Sequence, residues 1–335
     1  MDFAEFSCAI DDDGKRLDAI AKILLKNLSL SNVYSSIRKG FVLVNKKKAR
    51  PNFVIHENDI VSIADFLLHE KISQSQNSPN KISQTKKIVN KNFSRDFPYE
   101  IIFENENVIV ISKPYNVSVQ KDIAPFMQAY FENSSISFRA SPVHRLDKKT
   151  TGILCVAKSL SCARFFSENF SHHKIQKKYL ALVEGEMKNA YNWQDEIAHD
   201  KIKTNNFYTN KKTVDENEKS SFAFTRALPI AHGIYNEKKI TVALFSLETG
   251  RHHQIRFQSS AHGFPLFGDN AYGAKKISEK QNLFLHASFL GLPKNEFGIP
   301  ENFFSLPPKD FFSMCEKCKI DLTKFSLKKI IGNAQ

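Results

Sequence analysis

The sequence has few cysteines and no long hydrophobic run, and each deficit excludes a class of protein. The five cysteines among 335 residues are an odd and scattered set, which indicates free thiols in a reducing compartment rather than a disulfide framework. Cys315 and Cys318 form one Cys-x-x-Cys pair, but a zinc site needs four ligands and the sequence has no second pair. No apolar run approaches the roughly 20 residues of a membrane span. We therefore expect a cytoplasmic protein without a metal or a membrane contact.

Acidic residues are also in deficit. The chain has 48 Lys+Arg against 35 Asp+Glu, a net charge of +13 and a pI of about 9.3. This surplus favours a polyanionic partner, and nucleic acid is a better candidate than a membrane surface. The first residues, "MDFAEFSCAIDDDG", are acidic and lack the apolar centre of a secretory signal. The length predicts two or three domains.

Residues 14–65 are predicted to form a small α/β module. Apolar residues at spacings of three and four between 17 and 28 indicate a helix. A second helix is expected to begin at Ser31 as its N-cap and to end at Gly40. The stretch "FVLVNKKKARPNFVI" predicts strand, turn and strand, with Asn45 in the turn, and "NDIVSI" predicts a last strand.

Cations are concentrated in this module. Eight cations predicted on its outer surface lie between residues 15 and 50, and although a solvated face is the usual fate of lysines, such a density predicts a surface that binds a phosphate backbone. The candidate RNA-binding residues here are Arg16, Arg38, Lys39, Lys46, Lys47 and Arg50. Over about fifty residues the module resembles the RNA-binding domain named after ribosomal protein S-four, and "IRKGFVLVNKKKARP" is the most specific part.

Residues 66–97 are predicted to be a flexible linker. They are rich in Ser, Asn, Gln and Lys and have little apolar periodicity, so they cannot bury enough surface to fold. The alternative is a long surface loop within one domain. A linker would let the basic module search RNA independently of the second domain.

Residues 98–330 are predicted to form an α+β domain. Apolar strands ("NVIVISKP", "GILCVA", "KKYLALVEG", "KKITVALFSLETG") are grouped with a few helices, one of them capped by Ser159, and no repeat of 20 to 50 residues is present. This arrangement favours a mixed or antiparallel sheet over a regular alternation of strands and helices.

The stretch "VHRLDKKTTGILCVAKS" places a charged turn ahead of a buried strand. Asp147 lies two residues from Arg145, and a neighbouring guanidinium is expected to lower the pKa of the carboxyl group, which suits a nucleophile or base. The alternative is a salt bridge that only fixes the turn. Tyr179, at the start of a strand, could stack on a flat ring or exchange a proton, although core packing is the commoner role.

The stretch "TGRHHQIRFQSSAHGFPLFGDNAYG" predicts a helix that ends at Gly263, followed by a rigid loop. Arg256 in this helix could neutralise a phosphate or a catalytic carboxylate. His252 and His253 could suggest a metal, but neighbouring residues on a helix face different directions, so we expect no metal site there.

Together these motifs resemble the RluA family of pseudouridine synthases. "HRLDKKTTGILCVAKS", "KKYLALVEGEM", "TGRHHQIR…HGFPLFGDNAYG", "LFLHASFLGL" and "PPKDF" follow in the family's order over residues 99 to about 313, and with the first module they match its RluC/RluD-type branch. The resemblance implies a mixed-sheet catalytic domain that converts uridine to pseudouridine without a cofactor. Large-subunit ribosomal RNA is the substrate that it implies.

The resemblance also implies residue roles. Asp147 matches the aspartate that attacks or deprotonates the ribose, and Tyr179 the tyrosine that stacks under the base and is a candidate to remove the proton from carbon five. Arg256 matches the partner of the carboxylate, and Arg145 the arginine that fills the gap left by the extruded nucleotide, next to His144 as a further RNA contact. A flipped base costs least where it is already poorly stacked, so a loop or bulge is the expected target.

Four positions depart from the family pattern, which has Arg-Asp at Lys148 and Lys149, Ser at Thr151 and His at Gln258. These four departures affect the local fit to RNA, so the sequence does not determine which uridine is the target. Two alternatives also remain: a binding or ribosome-assembly factor that has lost the reaction, and a synthase that acts on transfer RNA. We expect a monomer.

Overall fold

The computed structural model describes residues 1–69, 97–131, 135–198, 220–274 and 282–333. The strands are β1 (Phe3–Ser7), β2 (Val42–Val44), β3 (Ile60–Ala64), β4 (Glu100–Glu104), β5 (Val108–Lys113), β6 (Ser141–Pro142), β7 (Thr151–Ala157), β8 (Gln176–Glu184), β9 (Tyr191–Ala198), β10 (Ser220–Tyr235), β11 (Lys238–Leu247), β12 (Leu285–Gly291) and β13 (Asn302–Phe304). The helices are α1 (Leu17–Leu24), α2 (Leu30–Lys39), α3 (Asp65–His69), α4 (Ala124–Tyr130), α5 (Leu160–Ser171), α6 (Gln254–Ala261), α7 (Lys309–Lys317) and α8 (Leu327–Asn333). The chain divides into two compact units.

The first unit has a three-stranded antiparallel sheet in the order β1-β3-β2, with α1 and α2 packed on it. The turn after β2 has Asn45 at φ 50°, as predicted, and α2 ends at Gly40 with φ 82°. The N-cap of α2 is Ser29 rather than the predicted Ser31, because the Ser29 hydroxyl accepts a hydrogen bond from the Asn32 N–H. The predicted second strand of the hairpin is wrong, since Val54 makes only an isolated bridge.

The first unit also contains residues 127–141 and 158–161, which lie far along the chain. The first segment is held by Asp12, whose buried carboxylate accepts hydrogen bonds from the N–H groups of Ile136 and Ser137 at 3.0 and 2.8 Å. In the second segment the Leu160 N–H donates to Asp11 Oδ1 at 3.0 Å. Strand β1 was not predicted either. The prediction of domain boundaries at 14–65, 66–97 and 98–330 stays a prediction, and residues 70–96 of the predicted linker lie outside the described residues.

The second unit is built on a sheet in the order β4-β5-β7-β12-β8-β11-β10-β9, with β13 beside β12 and β6 beside β7. The pair β7 and β12 is parallel and the other paired strands along this order are antiparallel, which confirms the predicted α+β class with a mixed sheet. Strand β7 is buried at every position, which explains the apolar run of its residues 152–157.

A glycine allows the parallel pair to form. Gly152 has φ 109°, and a Cβ there would collide with the backbone of Ala287 on β12. Beside it, the buried Thr151 hydroxyl lies 2.8 Å from His286 Nδ1, and His286 Nε2 lies 3.1 Å from the Ser305 carbonyl oxygen. The close contact fixes the start of β7 and so the turn that precedes it.

Among the described residues no helix combines the length and the apolar character that a bilayer crossing requires.

Candidate active site

Asp147 lies in the tight turn between β6 and β7. The Thr150 N–H donates to the Asp147 carbonyl oxygen at 3.0 Å, which closes the turn, and the Asp147 side chain is 19% exposed. Its carboxylate faces a cleft of about 400 Å³. The side chains that line this cleft include Asp147, Tyr179, Arg256, Lys177, His253 and Leu285. The turn thus presents a largely buried carboxylate to a space of ligand size.

Tyr179 reaches the same cleft from β8, where it pairs with Phe245 on β11 and Ala287 on β12. Burial, with the negative charge of Asp147, raises the pKa of its phenol well above the ordinary range. At neutral pH the side chain is therefore a neutral phenol whose ring is fixed by the middle of the sheet.

Arg256 joins the cleft from α6. Its Nε and Nη2 atoms donate to the two carboxylate oxygens of Asp269 at 2.6 and 2.8 Å, while Nη1 lies 3.8 Å from Asp147 Oδ2. The Arg256 guanidinium is also stacked over the Tyr272 ring, 4.7 Å from its centroid. Its main partner, Asp269, was missed by the sequence interpretation, although the "GDNAYG" loop contains it.

The prediction that His252 and His253 are helical is wrong, because α6 begins only at Gln254. His253 precedes the helix with φ 53° and ψ 24°, and its ring is stacked on that of His252 with centroids 3.8 Å apart. Together with Asp147 the two rings offer ligand atoms within 4.8 Å of one another, a spacing that a metal ion could use. The Arg256 cation, however, adjoins the same carboxylate and would repel a metal ion there, and His253 Nδ1 already lies 2.9 Å from the Tyr272 hydroxyl. This geometry favours hydrogen bonding over shared coordination.

The electrostatic balance at Asp147 also differs from the prediction. Burial raises the pKa of its carboxyl group, and this effect outweighs the lowering by Arg256, His252, Arg145 and Lys113. The expected net lowering by a nearby arginine is therefore wrong. The cations still matter, because they offset part of the cost of keeping a carboxylate ionised in a poorly solvated site.

Lys113, which closes β5, is fully buried beside this turn. Its ammonium donates to the carbonyl oxygens of Pro114, Val117 and Lys148 at 2.9, 2.8 and 3.1 Å. Burial lowers the pKa of Lys113 to about 8, with opposing effects from Asp147 and Asp122. The side chain ties the end of β5 to the residue after Asp147. The sequence signal for this buried lysine is its position at the end of an otherwise apolar strand.

Lys177 is a second cation of the cleft. Its ammonium lies 3.2 Å from the Thr249 carbonyl oxygen, and burial lowers its pKa to about 8. The neighbouring Lys178 points to the other face of β8, where it donates to the Ile331 carbonyl oxygen at 2.7 Å. The alternation of the strand thus separates a cleft lysine from one that holds α8.

The two RNA-binding candidates of the turn have different surroundings. Arg145 is exposed at the rim of the cleft and also borders an adjoining hollow of about 300 Å³. His144 lies against Phe170, and its Nε2 accepts the Cys155 N–H at 3.1 Å. Burial lowers the pKa of His144 to about 4, so the ring is neutral at neutral pH.

The remaining RNA-binding candidates are exposed on the first unit. They lie at the start of α1, the end of α2 and the turn after β2, and they are Arg16, Arg38, Lys39, Lys46, Lys47 and Arg50. Arg16 is engaged with Asp18 at 2.5 Å, while Lys46 is 3.9 Å from Glu5. We refer to these six residues as the basic face.

Two of the four positions that depart from the family pattern have a structural role. Gln258 is fully buried, accepts the Thr225 hydroxyl at 2.5 Å and donates to Asp195 at 2.8 Å, so it joins α6 to β9 and β10. Thr151 packs within the sheet against His286. Lys148 and Lys149 are exposed beside the hollow next to Arg145, where their side chains are open to solvent.

The chain matches the family model described as RNA pseudouridylate synthase over residues 107–261 and the S4 domain model over residues 15–61. It is 30% identical over 293 residues to a ribosomal large subunit pseudouridine synthase C of Pasteurella multocida, covering 83% of this chain and 82% of that one. It is 27% identical over 296 residues to the protein of the same name from Rickettsia bellii, covering 84% and 91%. The solved human RNA Pseudouridylate Synthase Domain Containing 1 is similar in fold, with a TM-score of 0.55, 22% identity and coverage of 70% and 95%.

The sheet, the carboxylate cleft and these matches define an RNA-modifying isomerase with an S4 domain ahead of its catalytic part. The chain belongs to the RNA pseudouridylate synthase family, in its RluA branch.

Proposed function

We propose that this enzyme converts specific uridines of large-subunit ribosomal RNA to pseudouridine, with Asp147 as the catalytic carboxylate and without a cofactor. The observation that carries the proposal is that Asp147, Tyr179 and Arg256, far apart in the sequence, line one cleft. Relatives named as large-subunit synthases support the RNA class. We further propose that it works in the cytoplasm as a monomer.

The reaction needs only groups that the cleft supplies. Asp147 attacks or deprotonates the ribose, the bond from the sugar to ring nitrogen N1 breaks, the uracil turns, and its C5 bonds to the sugar. One proton leaves C5 and one reaches N1, so the product is an isomer. The Arg256 cation offsets part of the cost of holding Asp147 ionised. Tyr179 stacks beneath the base and is the candidate to remove the C5 proton, a step for which its raised pKa makes the neutral phenol a weak base.

The target uridine must leave its stack to enter this cleft, because a duplex is too wide for it. Arg145 at the rim fills the space that the nucleotide vacates, beside His144. The basic face, within the proposed 14–65 module, holds flanking RNA through its phosphates.

A direct test is pseudouridine formation on unmodified large-subunit ribosomal RNA, read as reverse-transcription stops after carbodiimide treatment. Wild-type protein is compared with Asp147→Asn and with Tyr179→Phe. We expect stops with wild type alone and a loss of at least about 1,000-fold for Asp147→Asn, because the variant has no nucleophile or base. RNA affinity should stay within about twofold in both variants.

The other outcomes separate the alternatives. If Asp147→Asn forms pseudouridine at the wild-type rate, Asp147 is not the catalytic carboxylate. No stops with any of the three proteins, wild type included, on naked RNA or on assembly particles, would favour a binding factor. Stops only on transfer RNA would move the substrate and leave the chemistry in place.

A further inference from the structure

We propose that His253 is a positioning residue, which passes a hydrogen bond from the Tyr272 hydroxyl to Asp147 and thereby fixes which carboxylate oxygen faces the uridine. The inference rests on the proposed catalytic role of Asp147 and adds two side chains to the machinery behind it.

The three side chains form a continuous chain of polar contacts. The Tyr272 hydroxyl lies 2.9 Å from His253 Nδ1, and His253 Nε2 lies 3.4 Å from Asp147 Oδ2. The second distance is longer than a good hydrogen bond, as is common at catalytic groups before the substrate closes the site. The His253 ring is only one fifth exposed, so water is largely kept from the contact.

The position of the proton on His253 follows from these contacts. A bare Nε2 would direct its lone pair at a carboxylate oxygen, which is repulsive, so we assign the proton to Nε2, the atom 3.4 Å from Asp147 Oδ2. Nδ1 is then an acceptor, and the Tyr272 hydroxyl must donate to it. Burial lowers the pKa of His253 to about 3, so the ring stays neutral and has one donor and one acceptor.

Backbone and ring packing hold His253 in this orientation. A residue other than glycine in the left-handed region costs free energy, and His253 adopts φ 53° at the start of α6. The Tyr272 ring stands edge-on to the imidazole, at 89°, under the Arg256 guanidinium. A cation over the ring face makes the phenol a better donor to Nδ1.

Both supports reach the same oxygen of Asp147. His253 Nε2 and Arg256 Nη1 approach Oδ2, at 3.4 and 3.8 Å, which leaves Oδ1 directed to the substrate. Neutral His253 adds a donor that stabilises the ionised carboxylate without adding charge. The charged or titratable groups around the Asp147 carboxylate are Arg145 on its own turn, Lys113 on β5, Tyr179 on β8, His252 and His253 before α6, and Arg256 on α6 with its partner Asp269.

The test measures kcat, KM and the pH–rate profile on a fixed RNA. Tyr272→Phe keeps the ring under Arg256 and removes only the donor, and His253→Asn keeps a residue that tolerates the left-handed backbone but is too short to reach Asp147. We expect kcat to fall about 10- to 100-fold in both with KM little changed, because the carboxylate loses its alignment. The acid limb should move to higher pH, since loss of a donor to the carboxylate raises the pKa of Asp147. His253→Gln, whose amide can donate, should recover part of both effects.

His262→Asn is the matched control, because His262 Nε2 makes a similar contact to Asp195, 3.0 Å away, at the other end of α6. It should leave the rate and the pH profile unchanged. Thermal unfolding of each variant shows whether the fold is intact. Unaltered kcat and acid limb in both Tyr272→Phe and His253→Asn, with Asp147→Asn inactive, would overturn the role of His253 alone. Activity in Asp147→Asn would instead overturn the proposed function.

Discussion

At the scale of single residues, the cleft holds charges that burial disfavours. Asp147 is kept among cations although burial raises the pKa of its carboxyl group, and Lys113 is kept charged by three carbonyl acceptors although burial lowers its pKa to about 8. Such sites cost folding free energy and are maintained for chemistry. Removing the charge should therefore separate stability from activity.

Asp147→Asn is expected to be more stable than wild type at neutral pH, by on the order of 1 kcal/mol or about 2–4 °C in Tm. The sign follows from linkage: a raised folded-state pKa means that the folded protein binds the proton more tightly than the unfolded chain. The wild type therefore loses stability as pH rises through the pKa that Asp147 has in the folded protein. The stability advantage of Asp147→Asn over wild type becomes smaller as pH falls toward the pKa of Asp147 in the unfolded chain. Thermal melts from the ordinary Asp pKa of about 4 up to about pH 8 measure this difference.

The control is Asp2→Asn, which makes the same charge change at an exposed site. It should show no comparable gain. A lower Tm for Asp147→Asn at pH 8 would mean that Asp147 contributes more as a hydrogen-bond acceptor than it costs as a buried charge.

At the scale of elements, the basic face depends on short caps and turns. Gly40 with φ 82° ends α2 beside Arg38 and Lys39, and Asn45 with φ 50° starts the turn that carries Lys46 and Lys47. These left-handed positions place cations at the ends of elements, where long side chains are free to reach phosphates.

Replacing Arg38, Lys39, Lys47 and Arg50 together by Gln should weaken RNA binding and flatten its salt dependence. Each phosphate contact that is lost should reduce the slope of log K against log salt by about 0.7–0.9. Titrations between about 50 and 200 mM salt measure this slope. Lys46 is left unchanged because it has φ 63°.

A control set with the same loss of four charges is Lys309, Lys317, Lys328 and Lys329, all exposed on α7 and α8. It tests whether net charge alone accounts for the effect. If both four-residue variants reduce the slope of log K against log salt by the same amount, the basic face has no special role in RNA binding.

At the scale of the whole molecule, sheet order assembles the cleft. Lys113 ends β5, Asp147 precedes β7, Leu285 begins β12 and Tyr179 lies on β8, and these four strands are neighbours in the order β5-β7-β12-β8. The strands come from four regions of the chain, so the cleft exists only once the sheet has formed.

Because the reaction is an isomerisation by this assembled cleft, we expect activity to persist after dialysis against EDTA. Initial rates with and without chelator, on RNA whose fold does not require Mg²⁺, measure this. A loss that Zn²⁺ restores would indicate instead that Asp147, His252 and His253 share an ion.

Short motifs were enough to predict the class of the protein from its sequence, because each of them is local. Asp147 before the apolar strand, Tyr179 at the start of a strand, Arg256 in a predicted helix and the basic "IRKGFVLVNKKKARP" each have a short-range pattern. The α+β class, the S4 domain and the family were predicted from these motifs and their resemblance, and are confirmed. The helix caps were predicted less well, since Ser29 and Ser31 are equally good N-caps by sequence and only the hydrogen bond to Asn32 distinguishes them.

The arrangement of charges in the cleft, by contrast, depends on the tertiary structure. The Arg256–Asp269 pair, the contact of Tyr272 and His253 behind Asp147, and the buried Lys113 join residues across turns and between strands. The direction of the Asp147 pKa likewise depends on burial, which no two-residue spacing reveals. Spacing along the chain fixes which residues share a face of one element, but distances between elements, and the desolvation that accompanies them, arise only when the sheet closes over its core.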